Sequence, residues 1–86
     1  MNKVFIDVRE PSEFQKDHVK GAFNITPEQL MSGAQEMSML TKDTPIIVYC
    51  RTGSRSLVAK HILHSYGFTN VTNGINKDHI VSKLNL

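Results

Sequence analysis

The feature that most constrains the fold is an uninterrupted apolar run near the middle of the chain, Ile46-Ile47-Val48-Tyr49. A strand without polar residues is typical of a parallel sheet that is covered on both faces. Shorter β-type runs lie at 4–8, 22–25 and 70–72, and segments with helical signals separate them. This alternation predicts a three-layer α/β fold, in which helices flank a mostly parallel central sheet.

The first two helices are predicted from their N-terminal signals. Pro11, followed by Glu13 in the first turn, predicts a short helix over about 11–16. The sequence Thr26-Pro27-Glu28-Gln29 predicts a capping box at the start of a second helix. The apolar stripe of that helix is expected to contain Leu30, Met31, Ala34 and Met37, as core residues and not as ligands.

Two more helices are expected in the second half of the chain. One should run over about 54–66 and end at Gly67, a residue suited to a left-handed stop. Its sheet-facing side is expected to comprise Leu57, Val58, Ile62 and Tyr66. A short closing helix is predicted over 77–84, where Ile80, Val81 and Leu84 have helical spacing.

Composition limits the class of protein. The 86 residues suffice for one domain over 1–86, and 40% hydrophobic with 21% charged residues is ordinary for a folded chain. The net charge of +2 comes without a dense Lys/Arg run, so no nucleic-acid partner is expected. No segment approaches the roughly 20 apolar residues of a membrane span, and no signal peptide is evident. The sequence as given predicts a cytoplasmic protein, or a periplasmic one if a leader was removed.

The single cysteine is the strongest functional candidate. Cys50 follows the apolar strand directly, at the sheet edge where parallel folds bind ligands, and a helix begins just after it. One cysteine excludes an internal disulfide or a Cys-x-x-Cys pair. The following loop contains two arginines, two hydroxyl residues and a glycine: Arg51, Thr52, Gly53, Ser54 and Arg55. Its backbone amides and positive charges should stabilise a thiolate, which is the nucleophilic form.

This arrangement suits sulfur chemistry. Its donors would stabilise an anionic sulfur without a general base and would also accept the terminal sulfur of a persulfide. An anionic donor such as thiosulfate could pair with Arg51 or Arg55 through bidentate hydrogen bonds. Cys50 would then hold the sulfur and pass it to a second nucleophile.

Three motifs resemble the rhodanese homology domain. They are Ile6-Asp7-Val8-Arg9-Glu10-Pro11-x-Glu13-Phe14, His18-Val19-x-Gly21-Ala22-x-Asn24-Ile25, and Ile46-Ile47-Val48-Tyr49-Cys50-Arg51-x-Gly53-x-Arg55-Ser56. Gly67-Phe68-x-Asn70-Val71 extends the resemblance to about residues 4–75. The order and spacing of separate motifs make this signal stronger than that of the loop alone.

The resemblance implies a sulfurtransferase that carries a persulfide on Cys50, cradled by the amides of residues 51–55. It needs no cofactor, and its substrates would be a small sulfur donor and a cyanide or thiol acceptor. Asp7 and Arg9 match a mainly structural motif, and a buried Asp at a strand end needs a partner such as Arg9 or a backbone amide.

The chain departs from the family pattern at 73–78. Rhodaneses commonly have Gly-Gly followed by Trp there, whereas this chain has Asn73-Gly74-Ile75-Asn76-Lys77-Asp78. The absence of Trp resembles the small phage-shock-type rhodaneses. This departure leaves the pocket wall and the preferred acceptor open.

Two other functions are compatible with parts of this pattern. A Cys-dependent phosphatase or arsenate reductase usually has five residues between Cys and Arg, whereas four separate Cys50 from Arg55. A non-catalytic binding or sulfur-carrier module would use the same loop, and the sulfur could then pass to a protein acceptor. His61 and His64 lie three residues apart, but no carboxylate or second Cys completes a site, so no metal is expected.

Overall fold

The sheet contains four strands in the order β2-β1-β3-β4, and each neighbouring pair is parallel. This arrangement comes from a computed structural model that describes residues 3–86. The strands are β1 Val4–Asp7, β2 Phe23–Asn24, β3 Ile46–Cys50 and β4 Val71–Asn76. The predicted α/β class is confirmed, and the apolar run lies in a central strand with all of its residues buried.

The helices are α1 Pro11–Lys16, α2 Pro27–Met31, α3 Ser54–Ser65 and α4 Lys77–Leu84, with a 3₁₀ helix over Gln35–Met39. The bounds of α1 and α4 agree with the prediction. Gly67 has a φ of 95° and follows the end of α3, as expected of a left-handed stop. None of the helices between residues 3 and 86 has the length and apolarity that a membrane span requires.

The second helix is shorter than the sequence predicts. Its capping box is confirmed, because Thr26 Oγ1 accepts from the Gln29 amide at 3.2 Å and Gln29 Oε1 accepts from the Thr26 amide at 2.9 Å. The helix stops at Met31 because Gly33 adopts a left-handed φ of 80°, and the 3₁₀ helix follows separately. Met37 is still buried, whereas Met31 is exposed and does not belong to the core.

The predicted inner face of α3 is mostly wrong. Leu57, Val58 and Tyr66 are 46%, 51% and 42% exposed, and of the predicted set only Ile62 packs against the core. The buried residues are Ser56, Ala59 and Leu63. Ser56, in the first turn, faces the sulfur of Cys50 and so decides which face of α3 is turned towards the core. Ala59 and Leu63 lie three and seven residues further along, on the same face.

The core has one part on each face of the sheet. Alternate residues of β3 divide between them, so that Ile46, Val48 and Cys50 pack towards α2 and α3. Ile47 and Tyr49 point to the opposite face, where Ile80 of α4 covers them. The chain therefore builds the three layers that its alternating pattern predicts, and Cys50 lies on the α3 side.

Two leucines on α3 test its orientation. Leu63→Ala should lower the free energy of unfolding by about 2–5 kcal/mol because it opens a cavity in the core, whereas Leu57→Ala should change it by less than about 1 kcal/mol. Urea denaturation of both variants measures the difference. Equal losses would mean that the helix has a different register.

Candidate active site

The carboxyl end of β3 places Cys50 at the beginning of a tight loop. Gly53 takes a left-handed φ of 95°, which turns the chain into α3. In this conformation the Gly53 amide points back and donates to Cys50 Sγ at 3.1 Å. Cys50 is only 2% exposed, so the sulfur is held from the protein side by a backbone donor.

A buried polar chain leads away from the sulfur. The Ser56 hydroxyl lies 3.4 Å from Cys50 Sγ and donates to Asn73 Oδ1 at 2.6 Å. The Asn73 amide group donates in turn to the Gly53 carbonyl at 3.1 Å. Strand β4 is thus connected to both the loop and the first turn of α3.

These donors change the acidity of the cysteine. Burial alone raises the pKa of Cys50, but hydrogen bonds from the Ser56 hydroxyl and from the amides of Ser56, Gly53 and Thr52 together outweigh burial and lower the pKa to about 7. An ordinary cysteine has a pKa near 8.5. At this pKa a substantial fraction of Cys50 is thiolate at neutral pH. The loop amides expected from the sequence contribute, but the strongest donor is the hydroxyl of Ser56, which lies outside the predicted loop.

The two predicted arginines lie in different surroundings. Arg51 is exposed and lines a cavity of about 290 Å³ together with Cys50. Arg55 forms a two-point ion pair with Glu13, with distances of 2.9 Å and 3.3 Å, and this pairing lowers the pKa of Glu13 to about 2. Thr52 and Ser54 are exposed and joined by a hydroxyl contact of 3.3 Å. Cys50 and Arg51 thus share the cavity, whereas Arg55 joins α3 to α1.

The rest of the cavity wall was anticipated from the sequence except at Asp17, because Arg9 belongs to the structural motif and residues 76–78 lie in the segment whose departure left the pocket wall open. It contains Arg9 and Asp17 from the first part of the chain and three consecutive residues at the β4–α4 junction, Asn76, Lys77 and Asp78. Lys77 forms an ion pair with Asp17, and Asn76 donates to the Arg51 carbonyl at 3.3 Å. Residues 76–78 reach the cavity because the β4–α4 junction follows the carboxyl end of a parallel strand next to β3.

A third ion pair, between Asp7 and Arg9, lies at the carboxyl end of β1. Asp7 is fully buried, and its carboxylate accepts from the Arg9 amide at 3.0 Å and from Arg9 Nη2 at 2.6 Å. Arg9 is thus the partner predicted from the sequence. Asn24 donates to both backbone carbonyls, of Asp7 at 3.0 Å and of Arg9 at 2.9 Å.

No histidine is found among the described residues that line this cavity. His61 and His64 are exposed on α3. Within residues 3–86, no three or more His, Cys, Asp and Glu side chains cluster in a way that would hold a metal ion. The groups in direct contact with the sulfur are the Gly53 amide and the Ser56 hydroxyl, and the cavity beyond is bordered by side chains of both charges.

Comparison with known proteins now decides the family. The model of the rhodanese-like domain matches residues 1–76. The chain belongs to the rhodanese-like domain family. The resemblance seen in the three sequence motifs is therefore confirmed.

Two curated relatives of this rhodanese-like chain are named thiosulfate sulfurtransferases. The chain is 39% identical over 69 residues to PspE of Escherichia coli, covering 80% of this chain and 65% of the relative. It is 38% identical over 65 residues to GlpE of Tolumonas auensis, covering 76% and 58%. The matches thus span less than two thirds of either relative.

A solved structure shows the same fold. It is described as a rhodanese with anions from E. coli, is 34% identical, and superposes with a TM-score of 0.81 over 92% of each chain. The rhodanese fold predicted from the motifs is confirmed.

The acidity of Cys50 in this rhodanese-like site can be measured by alkylation. The rate of reaction with iodoacetamide should rise with pH around a midpoint near 7. Ser56→Ala should move the midpoint upwards by about one unit because the thiolate loses a hydrogen-bond donor. Ser54→Ala, on the exposed side of the same turn, is the matched control and should leave the midpoint unchanged. Equal midpoints in all three proteins would contradict a role for Ser56.

Proposed function

We propose that this rhodanese-like protein is a sulfurtransferase that moves a sulfane sulfur from an anionic donor such as thiosulfate to cyanide or a thiol. The observation that carries the proposal is the position of Cys50 Sγ. The sulfur lies at the carboxyl end of β3, accepts a hydrogen bond from the Gly53 amide and borders a cavity lined by Arg51. A thiolate nucleophile is therefore available without a general base.

The first half-reaction loads the cysteine. The thiolate of Cys50 attacks the outer sulfur of thiosulfate, a new S–S bond forms to Sγ, and the S–S bond of the donor breaks. Sulfite leaves with the electron pair of that bond. The step needs no external oxidant or reductant. The loop amides that lower the pKa of Cys50 would also stabilise the negative charge of the persulfide.

The second half-reaction unloads it. Cyanide attacks the terminal sulfur and leaves as thiocyanate, or a thiolate attacks and leaves as a persulfide. In either case the bond to Sγ breaks and the electron pair returns to Cys50 as the thiolate. A protein acceptor fits the same chemistry, because the sulfur needs only a nucleophile that reaches the cavity.

Arg51 is the proposed donor-binding residue. Its guanidinium borders the same cavity as the sulfur and suits the planar pairing that two oxygens of an anionic donor can make. Arg55 was predicted to share this role, but its charge is directed to Glu13. We assign Arg55 to keeping α1 against the start of α3 and to adding positive potential near the sulfur.

The two curated relatives support the choice of donor. Both are named thiosulfate sulfurtransferases, and both match more than three quarters of this chain. A thiosulfate donor also agrees with the positive groups around the sulfur. Sulfur transfer therefore agrees with both the geometry of the Cys50 site and the names of the two relatives.

The persulfide is tested by intact-mass spectrometry after incubation with thiosulfate. The protein should gain the mass of one sulfur atom, and a reductant should remove it. Cys50→Ser should gain nothing, since a hydroxyl cannot form the persulfide. An unmodified wild-type protein, with thiosulfate and with other sulfane donors, would contradict the proposed mechanism.

Arg51 is tested by steady-state kinetics. Arg51→Ala should raise the KM for thiosulfate about tenfold, which corresponds to about 1.4 kcal/mol of lost binding. Arg51→Lys should lie between, because it keeps the charge and loses the two-point geometry. Exposed Lys83→Ala serves as the control for general loss of positive charge. An unchanged KM in Arg51→Ala would remove this residue from the donor site.

A further inference from the structure

The side chain of Asn73, on β4, forms three hydrogen bonds close to the Cys50 site. Its Oδ1 accepts from the Ser56 hydroxyl at 2.6 Å and from the Ile75 amide at 3.0 Å. Its Nδ2 donates to the Gly53 carbonyl at 3.1 Å. These contacts connect β4 to the loop after β3 and to the first turn of α3.

The Ser56 hydroxyl has one proton and two neighbouring acceptors. Cys50 Sγ lies at 3.4 Å and Asn73 Oδ1 at 2.6 Å. While Cys50 is a thiol, its S–H can donate to Ser56, and Ser56 donates to Asn73. Once Cys50 is a thiolate, the sulfur becomes a charged acceptor that competes for the same proton.

Asn73 Oδ1 can lose the hydrogen bond from Ser56 and still have a donor. The Ile75 amide continues to donate to Oδ1, and the bond from Nδ2 to Gly53 keeps the amide plane oriented. Ser56 itself is fully buried, so its choice of partner lies within the protein. Two satisfied arrangements of one hydroxyl are therefore available, one for each protonation state of the sulfur.

We propose that Asn73 is a positioning residue that acts on Cys50 through the Ser56 proton, holding it while Cys50 is a thiol and releasing it when Cys50 is a thiolate. The inference rests on the proposed function only in treating Cys50 as the reacting sulfur. Because Asn73 competes with the thiolate for the proton, it limits how acidic the cysteine becomes. A thiol whose acidity stays near ambient pH combines a large thiolate fraction with good nucleophilicity.

Charged side chains around the sulfur affect the same equilibrium. Those that border its cavity or act on it from the neighbouring elements are Arg9, Asp17, Arg51, Arg55, Lys77 and Asp78. None of them is a hydrogen-bond partner of Asn73, whose described bonds are to Ser56, Ile75 and Gly53. The difference between Asn73→Ala and the wild type therefore reports on the hydrogen-bond chain, whereas Asn73→Asp also adds a charge.

The test compares Asn73→Ala with the isosteric Asn73→Asp, and the readout is the pH midpoint of iodoacetamide alkylation. Asn73→Ala frees the Ser56 proton for the thiolate and should lower the midpoint by about half a unit. Asn73→Asp should raise it by about one unit, because a carboxylate holds the proton more firmly and adds a negative charge. Asn70→Ala, exposed just before β4, should leave it unchanged.

The same substitutions in Ser56→Ala protein show whether Asn73 acts through the Ser56 hydrogen bond or only holds the loop in place. In Ser56→Ala protein the downward shift of Asn73→Ala should vanish, and the upward shift of Asn73→Asp should become smaller. An upward shift in Asn73→Ala, or shifts that are the same with and without Ser56, would overturn the inference. If Asn73→Ala fails to fold in a thermal melt, the Asp variant in both backgrounds decides alone.

Alkylation uses no sulfur donor, so this experiment is independent of the proposed reaction. Opposite shifts without any persulfide would support the role of Asn73 and contradict sulfur transfer. A persulfide together with unshifted midpoints would support sulfur transfer and contradict the role of Asn73.

Discussion

The ion pair between Asp7 and Arg9 is the interaction on which the carboxyl edge of the sheet depends. A buried carboxylate without a partner costs several kcal/mol, and here Arg9 satisfies it through both its backbone and its guanidinium. The same guanidinium also donates to the Asp17 carbonyl and lies 5.8 Å from the centre of the Tyr49 ring. One arginine thereby connects the end of β1 to the end of α1 and to β3, the strand that presents the sulfur.

At the sulfur, the protein balances two opposing effects. Burial disfavours the thiolate, while donors from the loop and from Ser56 favour it, and the donors prevail. This balance depends on groups that are fixed by the fold, such as the amide of left-handed Gly53. The acidity of Cys50 is thus set by the geometry of the fold, and the exposed guanidinium of Arg51 borders the same cavity as the sulfur.

The sequence predicted the parts of this structure that depend on local signals. Pro11, the capping box at Thr26 and Gly67 each mark a helix end through contacts a few residues apart. The inner face of α3 was missed because apolarity favoured Leu57 and Val58, whereas the contact of Ser56 with the sulfur decides the register. Contacts between distant parts of the chain could not be predicted from local signals. Asn73 and Ser56 are 17 residues apart in the sequence, and the contribution of residues after β4 to the cavity depends on the order of strands in the sheet.

Both outer strands of the sheet are poor templates for another chain. The strand β2 on one side is only two residues long. On the other side, the pairing of β4 with β3 shifts register beside Val48 and Tyr49, and Ile75 adopts a left-handed φ of 72°. Short or irregular edges offer few aligned amides and carbonyls for strand addition, which is a common route to aggregation. The irregularity next to Asn73 therefore makes the β4 edge of the sheet a less regular template for another strand.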